Sequence, residues 1–144
     1  MTYSDTMKIA VAGDVGKGGL ANSKAVAYLN EATVELVPGR FVAISEKGIK
    51  EISANTDVLA GVVLRNNVYS VRPKGEIVDV MAIGVADSVF VEIADSQEIA
   101  RGDAVNVVAS GAEAGRITKE TENSIKTVFT VIKVAGNLAE ITRL

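Results

Sequence analysis

Side chains that branch at Cβ constrain the fold of this 144-residue chain more than any other feature of its sequence. Val and Ile together number 34, against seven Leu. Because β-branched side chains lose χ1 freedom in a helix and pack well on a pleated surface, this excess favours strands. Gly occurs 13 times and Pro only twice, which is typical of many strands joined by short turns. The composition predicts a mostly β protein, with under about a quarter of its residues in helix.

Two parts of the chain differ in their pattern. Residues 33–144 show short alternating segments separated by turn residues, which predicts a small antiparallel β-barrel or β-sandwich. Residues 1–32 include a Gly-rich stretch that is too flexible for the interior of an element, so they are predicted to form an extended N-terminal arm. Two alternatives are open for this part: a short helix capped by Asn22 or Ser23, and a first strand at residues 7–13 that pairs within the sheet.

Strands are predicted wherever apolar and polar residues alternate between turns. Residues 40–52 have the pattern of a hairpin, with Phe41 and Ala43 on one face and Val42 and Ile44 on the other. Residues 77–83 are apolar except for one Asp, as in a strand that is buried on both faces. The further predicted strands are residues 33–37, 58–64, 85–93, 104–108, 116–118, 125–134 and 138–141.

Two segments that lie 63 residues apart resemble each other. LVPGRFVAI and IARGDAVNV align with Gly39 over Gly102, and each continues through a charged residue into an alternating strand. Any strand that begins after a glycine turn has this pattern, and this general explanation is favoured. The other explanation is a barrel built from two similar halves.

The side chains that are missing exclude most catalytic machinery. The chain contains no Cys and no His, so nucleophilic triads, thiolate chemistry and the commonest metal ligands are all excluded. The net charge of −3 and the dispersed Lys and Arg residues argue against a nucleic-acid or membrane partner. The first residues lack the basic and apolar regions of a signal peptide, so the protein is expected to be made and left in the cytoplasm, or in something assembled there. The sequence predicts a protein that is not an enzyme.

Two motifs that could carry chemistry remain. The Gly-rich stretch GDVGKGG has Lys17 followed by Gly18, where a phosphate-binding loop requires Ser or Thr, so it is interpreted as a connector. Asp79, Asp87 and Glu92 lie in or near predicted strands, and a pair of carboxylates could act as acid and base. With no Trp and few other aromatic residues to hold a sugar, a structural role is favoured for all three. No catalytic residue, cofactor or metal site is predicted.

Several segments, in their order along the chain, resemble the structural cement proteins that decorate the heads of tailed bacteriophages. The resemblance runs through most of the 144 residues, and it depends on the order of the segments more than on any one of them. The segments are MTYSDTM, PGRFVAI, VLAGVVLRNN, GEIVDVMAIGVADSVFVE, IARGDAVNVV and ITRL.

This resemblance implies a function in the virion. Such a protein binds the outer surface of the phage head, contacts the major capsid protein and stabilises the contacts between capsid subunits. The resemblance also implies self-association, with a trimer expected and a dimer as the alternative. Other functions left open are a head-fibre base, a tail part, or a small-ligand-binding β-barrel.

The predicted arm supplies the candidate residues for contact with the capsid. Tyr3, Met7, Ile9 and Val11 are apolar or aromatic and are spaced among polar residues. Tyr and Met present a large apolar area at a modest cost in conformational entropy, as a contact surface requires. A segment of this kind can become ordered when it binds a partner. The sequence therefore predicts that residues 1–32 carry much of the attachment.

Overall fold

The computed structural model describes residues 11–13, 15–17, 24–65, 75–83 and 87–143. These ranges contain eleven β-strands and no helix, so the prediction of a mostly β protein is confirmed. The strands are β1 (Val15–Lys17), β2 (Lys24–Leu29), β3 (Phe41–Ile44), β4 (Ile49–Lys50), β5 (Leu59–Val63), β6 (Ile77–Ala82), β7 (Ser88–Glu92), β8 (Ala104–Val108), β9 (Ile117–Thr118), β10 (Ser124–Ala135) and β11 (Leu138–Arg143).

The described strands form two antiparallel sheets. One sheet has five strands in the order β2-β6-β5-β3-β4, and the other has six in the order β1-β7-β11-β10-β8-β9. No closed barrel is present among these strands. Of the two predicted architectures, the structure therefore agrees with a sandwich-like arrangement and not with a barrel.

A shared hydrophobic core joins the two sheets. The rings of Phe41 in β3 and Phe129 in β10 contact each other with their centroids 5.6 Å apart. The other face of the five-stranded sheet carries a second, smaller core, which Ala32 and Leu36 cover from the segment that follows β2. The buried residues of the shared core include Ala43, Val62 and Met81 from the five-stranded sheet and Val91, Val107, Val131 and Ile141 from the six-stranded sheet.

The side chains of β3 point alternately into the two cores. Phe41 and Ala43 lie in the shared core, whereas Val42 lies in the smaller core, which confirms the predicted faces of this strand. Ile44 is on the same side as Val42 but is half exposed. The sequence alternation therefore gave the correct face of each residue, but not how far the smaller core extends.

Five strands of each sheet repeat the same connectivity. The order β2-β6-β5-β3-β4 in the first part of the chain recurs as β7-β11-β10-β8-β9 in the second. In each part, one parallel bridge joins the end of the first strand to the last strand of the order: Asn30 to Ile49, and Ile93 to Ile117. We call residues 24–83 the first unit and residues 87–143 the second unit.

Individual hydrogen bonds repeat as well. The Gly39 amide donates to the Val63 carbonyl at 2.9 Å, and the Gly102 amide donates to the Val131 carbonyl at 2.7 Å. Both glycines have a left-handed backbone, with φ of 84° and 93°. The 63-residue separation therefore reflects a repeated fold, contrary to the general explanation that the sequence favoured.

The structure differs from the predicted N-terminal arm at β2. This strand pairs with β6 over its whole length, from Lys24 opposite Ala82 to Leu29 opposite Ile77, so it belongs to the folded body. The alternative of a helix after Asn22 or Ser23 is also wrong over this range. Sequence analysis overlooked the strand because two of its six residues are Ala, which has a low strand propensity.

The remaining parts of the predicted arm have different outcomes. Residues 15–17 form β1, which pairs with β7. Residues 11–13, the described part of the alternative strand at 7–13, form a turn. Residues 1–10 lie outside the described residues, so the prediction of an arm there remains a prediction.

Two other strand predictions need correction. Residues 33–37 form no strand: Leu36 alone takes part in an isolated β-bridge, and its side chain is buried in the smaller core. Residues 77–83 were expected to be buried on both faces, but Ile77 and Asp79 are exposed. These two side chains lie on the same face of β6 as Met81 of the shared core, beyond the part that the core covers, whereas Val78 and Val80 point into the smaller core.

Candidate capsid interface

Only the last of the four predicted contact residues can be placed. Tyr3, Met7 and Ile9 lie outside the described residues, and Val11 is half-buried at the start of the first described range. The turn that follows Val11 is held by both units. The Gly13 amide donates to the Phe90 carbonyl of the second unit at 2.8 Å, and the Gly13 carbonyl accepts from the Arg65 amide of the first unit at 3.2 Å.

The turn at residues 11–13 passes directly over Gly39. A Cβ atom on Gly39 would lie 2.4 Å from the Cβ of Ala12, which is closer than two carbon atoms can approach without a shift. Glycine at this position therefore allows the N-terminal segment to lie against the first unit. The signal in the sequence is the PGRF motif, which was interpreted only as the beginning of a strand.

The next residue of the same motif connects the two units. The Arg40 guanidinium donates from Nε to Glu92 Oε1 at 2.8 Å and from Nη1 to the Ala112 carbonyl at 3.0 Å. The Glu92 amide in turn donates to the Gly39 carbonyl at 3.0 Å. Because both groups of the ion pair are largely withdrawn from water, their interaction is screened less than that of a surface pair. The PGRF motif thus holds the first unit against the second.

A second arginine extends this ion pair into a network. Arg116 lies 3.9 Å from Glu92, 3.4 Å from Asp95 and 3.2 Å from Glu113. A hydrogen bond from the Asp95 amide, together with the charge of Arg116, lowers the pKa of Glu113 below its ordinary value. Glu92 is therefore held between two guanidinium groups, an arrangement that stabilises its charge and suits a structural role.

The three carboxylates that were considered for catalysis do not form an acid pair. Asp79 is exposed on β6 of the first unit, whereas Asp87 is buried just before β7 and Glu92 ends that strand. A strand rises about 3.3 Å per residue, so the backbones of Asp87 and Glu92 lie roughly 16 Å apart, and an acid pair requires less than about 10 Å. Within the described ranges, no cluster of acidic residues could hold a metal ion.

An open cleft of about 330 Å³ lies between the units, beside Arg40. Two of its three charged side chains already have partners: Arg40 binds Glu92, and Glu51 accepts a hydrogen bond from the Thr33 hydroxyl at 2.6 Å, while the third is Glu35. A ligand pocket of this size normally offers a few converging polar groups that await the ligand. The cleft therefore gives little support to the small-ligand alternative.

Exposed apolar side chains lie at several separate places on the described surface, among them Val34 in the segment that follows β2. Leu29 and Ile77 form the first group, since they are directly opposite each other on the adjacent strands β2 and β6. Val26 of β2 is exposed as well, but it is opposite Val80 and therefore lies on the other face of the sheet. Ile44 and Val58 form the second group, with the Ile44 amide bonded to the Val58 carbonyl at 2.8 Å. On β10 of the second unit, Val128, at 67% exposure, and Val134 are exposed as well, but they lie six residues apart and form no single group. Such side chains are available for contact with a partner.

Sequence reasoning missed these exposed apolar side chains. Valine and isoleucine in a strand pattern predict burial, and only the pairing of strands shows which of them lack a covering layer. Separately, the structure contains, over the ranges that it describes, no helix that is long and apolar enough to cross a membrane.

Comparison with known proteins identifies the family of this chain, which the fold alone does not. The family model described as XM1 gp53 minor capsid protein matches residues 1–143. The chain belongs to this family. A chain in the solved structure "The capsid of Myoviridae Phage XM1" is similar, with a TM-score of 0.74 and 19% identity, over 99% of this chain and 97% of that chain. At this identity, the similarity concerns the fold alone. No curated protein matches the sequence.

Membership of this family makes the protein a phage structural protein associated with the capsid and places it in the virion. The predicted resemblance to phage head proteins is confirmed at this level. A capsid structural family also implies a role that is not enzymatic and an association with other capsid components. The structural use of Glu92 and the separation of the other carboxylates agree with such a role.

Proposed function

We propose that this minor capsid protein is a cement protein, which binds the outer surface of the phage head and stabilises contacts between major capsid subunits. The observation that carries the proposal is the distribution of exposed apolar side chains. They lie on both units and at several separate places, as expected of a protein that contacts more than one neighbour.

The contacts that join the two units support a bridging role. A protein that stiffens a shell must transmit force between its contact surfaces, so its own parts must not move relative to each other. The Arg40–Glu92 ion pair and the shared core supply that rigidity. The cement function uses no titrating catalytic group, and none is offered by the described carboxylates.

We also propose that the N-terminal segment supplies contacts to the major capsid protein through Tyr3, Met7, Ile9 and Val11. The turn at residues 11–13 is fixed to both units, so whatever precedes it starts from a defined position on the body. Substitution of Val11 with Asp should weaken head binding and leave folding intact if this residue contacts the capsid. Ala54→Asp, in a half-buried turn of the first unit, is a matched control.

Self-association belongs to the same proposal, with a trimer on the head as the first expectation and a dimer as the alternative. Neither nucleic acid nor a membrane is a proposed partner. The cement function is tested with phage heads that lack this protein. Purified protein should bind them saturably and raise the temperature at which they release DNA.

Binding without any gain in shell stability would contradict the cement function. The competing function, a head-fibre base or a tail part, requires the same chemistry but a different location. Antibody labelling in negative-stain images separates the two: label over the whole head supports the cement protein, and label at one vertex or on the tail supports the alternative.

A further inference from the structure

Two equivalent strands differ in whether another strand pairs with their outer edge. In the second unit, the edge of β7 is paired with β1, with Val15 opposite Val89 and Lys17 opposite Ser88. The equivalent strand of the first unit is β2, in which Val26 corresponds to Val89. Within the described residues, β2 is the last strand of its sheet on this side. The repeated fold therefore indicates a position beside β2 where an added strand would fit.

Backbone alternation shows which groups of β2 face that position. The Asn30 amide donates towards β6, to the Glu76 carbonyl at 2.9 Å. Amide and carbonyl directions alternate along a strand, so the groups of Ala25 and Ala27 point away from β6. Beyond these residues the edge is taken, because the Glu31 amide donates to the Ile49 carbonyl of β4 at 2.8 Å. The available stretch is thus centred on Val26.

This stretch lacks the usual protection of an edge strand. Proteins normally place Lys, Pro or a bulge on exposed edges to prevent pairing with other chains. β2 has one charged residue, Lys24 at its first position, but residues 25–29 are Ala-Val-Ala-Tyr-Leu, with no charged residue and no Pro, and Val26 is 40% exposed. An unprotected apolar edge is typical of a strand that pairs with a partner.

We infer that β2 pairs antiparallel with β2 of a second copy of this chain, about a two-fold axis beside Val26. In this register, Ala25 of each copy lies opposite Ala27 of the other, so the outward amides and carbonyls of both residues form four hydrogen bonds. Val26 lies opposite its own symmetry mate. The strand is complementary to itself, since the pairing brings no two like charges together, and this favours a second copy over an unrelated strand.

The contact is small, which sets where it forms. A single strand pair buries far less than the roughly 1,600 Å² of a standard stable interface, so the free protein is expected to dimerise only weakly. Copies bound to one head are held at an effective concentration of about millimolar, which favours the pairing there. The inference goes beyond the proposed cement function and, of the two proposed oligomeric states, selects a pairwise contact.

The absence of Cys from the sequence makes a clean test available. A residue that faces its mate in a non-hydrogen-bonded antiparallel pair has a Cα–Cα distance of about 4.5 Å, within the range of a disulfide. Val26→Cys should therefore form a disulfide-linked dimer under mild oxidation. Val128→Cys is the control, because this side chain is more exposed but lies on β10 of the other unit.

Both variants are oxidised as free protein at millimolar concentration and when bound to heads, and non-reducing gels measure the dimer. We expect at least a tenfold higher dimer fraction for Val26→Cys than for the control, in at least one of the two conditions. Equal fractions in both conditions would overturn the inference. Head binding of the unmodified chain is measured separately, so a failure of the cement function is distinguishable from a failure of the pairing.

A second measurement needs no cysteine. In the unmodified chain, hydrogen exchange at the amides of Ala25 and Ala27 should slow with increasing protein concentration or on heads, while the amide of Glu122, in an exposed turn of the second unit, stays unchanged. A photo-crosslinking residue at position 26 then identifies the neighbour. An adduct with the mass of two copies supports the inference, and an adduct with the major capsid protein overturns it.

Discussion

Gly39 and Gly102 form a matched pair of positions that tests how the N-terminal turn is attached. They are equivalent in the repeated fold and have nearly the same backbone, with φ of 84° and 93°. A Cβ on Gly102 would meet no atom within 4 Å, whereas one on Gly39 would lie 2.4 Å from the Ala12 Cβ. Substitution of each glycine with Ala therefore adds the same backbone strain but a steric clash at Gly39 alone.

The magnitude follows from the contacts that the clash disturbs. The left-handed backbone costs an alanine about 1–2 kcal/mol at either position. At Gly39, the turn at residues 11–13 must also shift, which endangers the hydrogen bonds of Gly13 to Phe90 and Arg65. Two such bonds contribute about 1 kcal/mol each, so Gly39→Ala should cost about 2 kcal/mol more than Gly102→Ala. At roughly 4 °C per kcal/mol for a chain of this size, the difference in Tm is about 8 °C.

Differential scanning calorimetry of the two variants measures this difference directly. Replacing Ala12 with Gly in the Gly39→Ala background removes the nearest clashing atom and should restore a few degrees of Tm. The same replacement in the Gly102→Ala background should restore nothing. Equal melting temperatures for the two single variants would refute the reasoning, because they would mean that the N-terminal turn does not lie against Gly39.

Three further predictions concern charged groups. Arg40→Ala should lower the free energy of unfolding by about 1–3 kcal/mol in urea titrations. Lys50→Ala, which breaks a more exposed ion pair with Asp57, should lower it by about 1 kcal/mol or less. Equal losses would count against the Arg40–Glu92 ion pair as a connection that holds the two units together. Asp79→Asn should leave both Tm and head stabilisation unchanged, and a loss of function at constant Tm would contradict the structural interpretation. Acid should destabilise the protein below about pH 4.5, because four carboxyls have a lower pKa in the folded than in the unfolded state. The stability that such a carboxyl contributes is fully present above its unfolded-state pKa, and it is lost as the pH falls through its folded-state pKa. The Tm should therefore be constant from pH 7 to about pH 5 and then fall, and a Tm that rises below pH 4.5 would show the sign to be wrong. The carboxyls with a lowered pKa are Glu31, through a hydrogen bond from the Ser45 hydroxyl, and Asp57, Asp103 and Glu113, through main-chain amides of Ser53, Ala100 and Asp95.

Strong alternation made much of the fold predictable. Ala104–Val108 was predicted to the residue, and Phe41–Ile44 and Leu59–Val63 fall within their predicted ranges. Sequence analysis missed β2 because, among the described strands, it lies at one end of its sheet, where Ala25 and Ala27 are exposed and need no β-branched side chain. Leu36 contributed to the opposite error, a strand predicted at residues 33–37 where none forms. An apolar residue that covers a core from a connecting segment has the same sequence pattern as part of a strand.

The candidate interface was less predictable than the fold. Arg40 and Glu92 are 52 positions apart, and no local pattern indicates that they meet. The repeat was visible in the sequence as a similarity between the segments around Gly39 and Gly102. Only the strand orders of both units showed that it reflects a repeated fold. Exposure of Val26 and Val128 depends on what the neighbouring strands leave uncovered, which periodicity does not report.

The location of the protein on the phage tests the cement proposal most directly. Cryo-electron microscopy of heads with and without this protein, followed by a difference map, measures that location. The account predicts difference density on the outer surface, in contact with at least two major capsid subunits, into which both units of the chain fit as one rigid body. Difference density on the inner surface, at a single vertex or on the tail would contradict it.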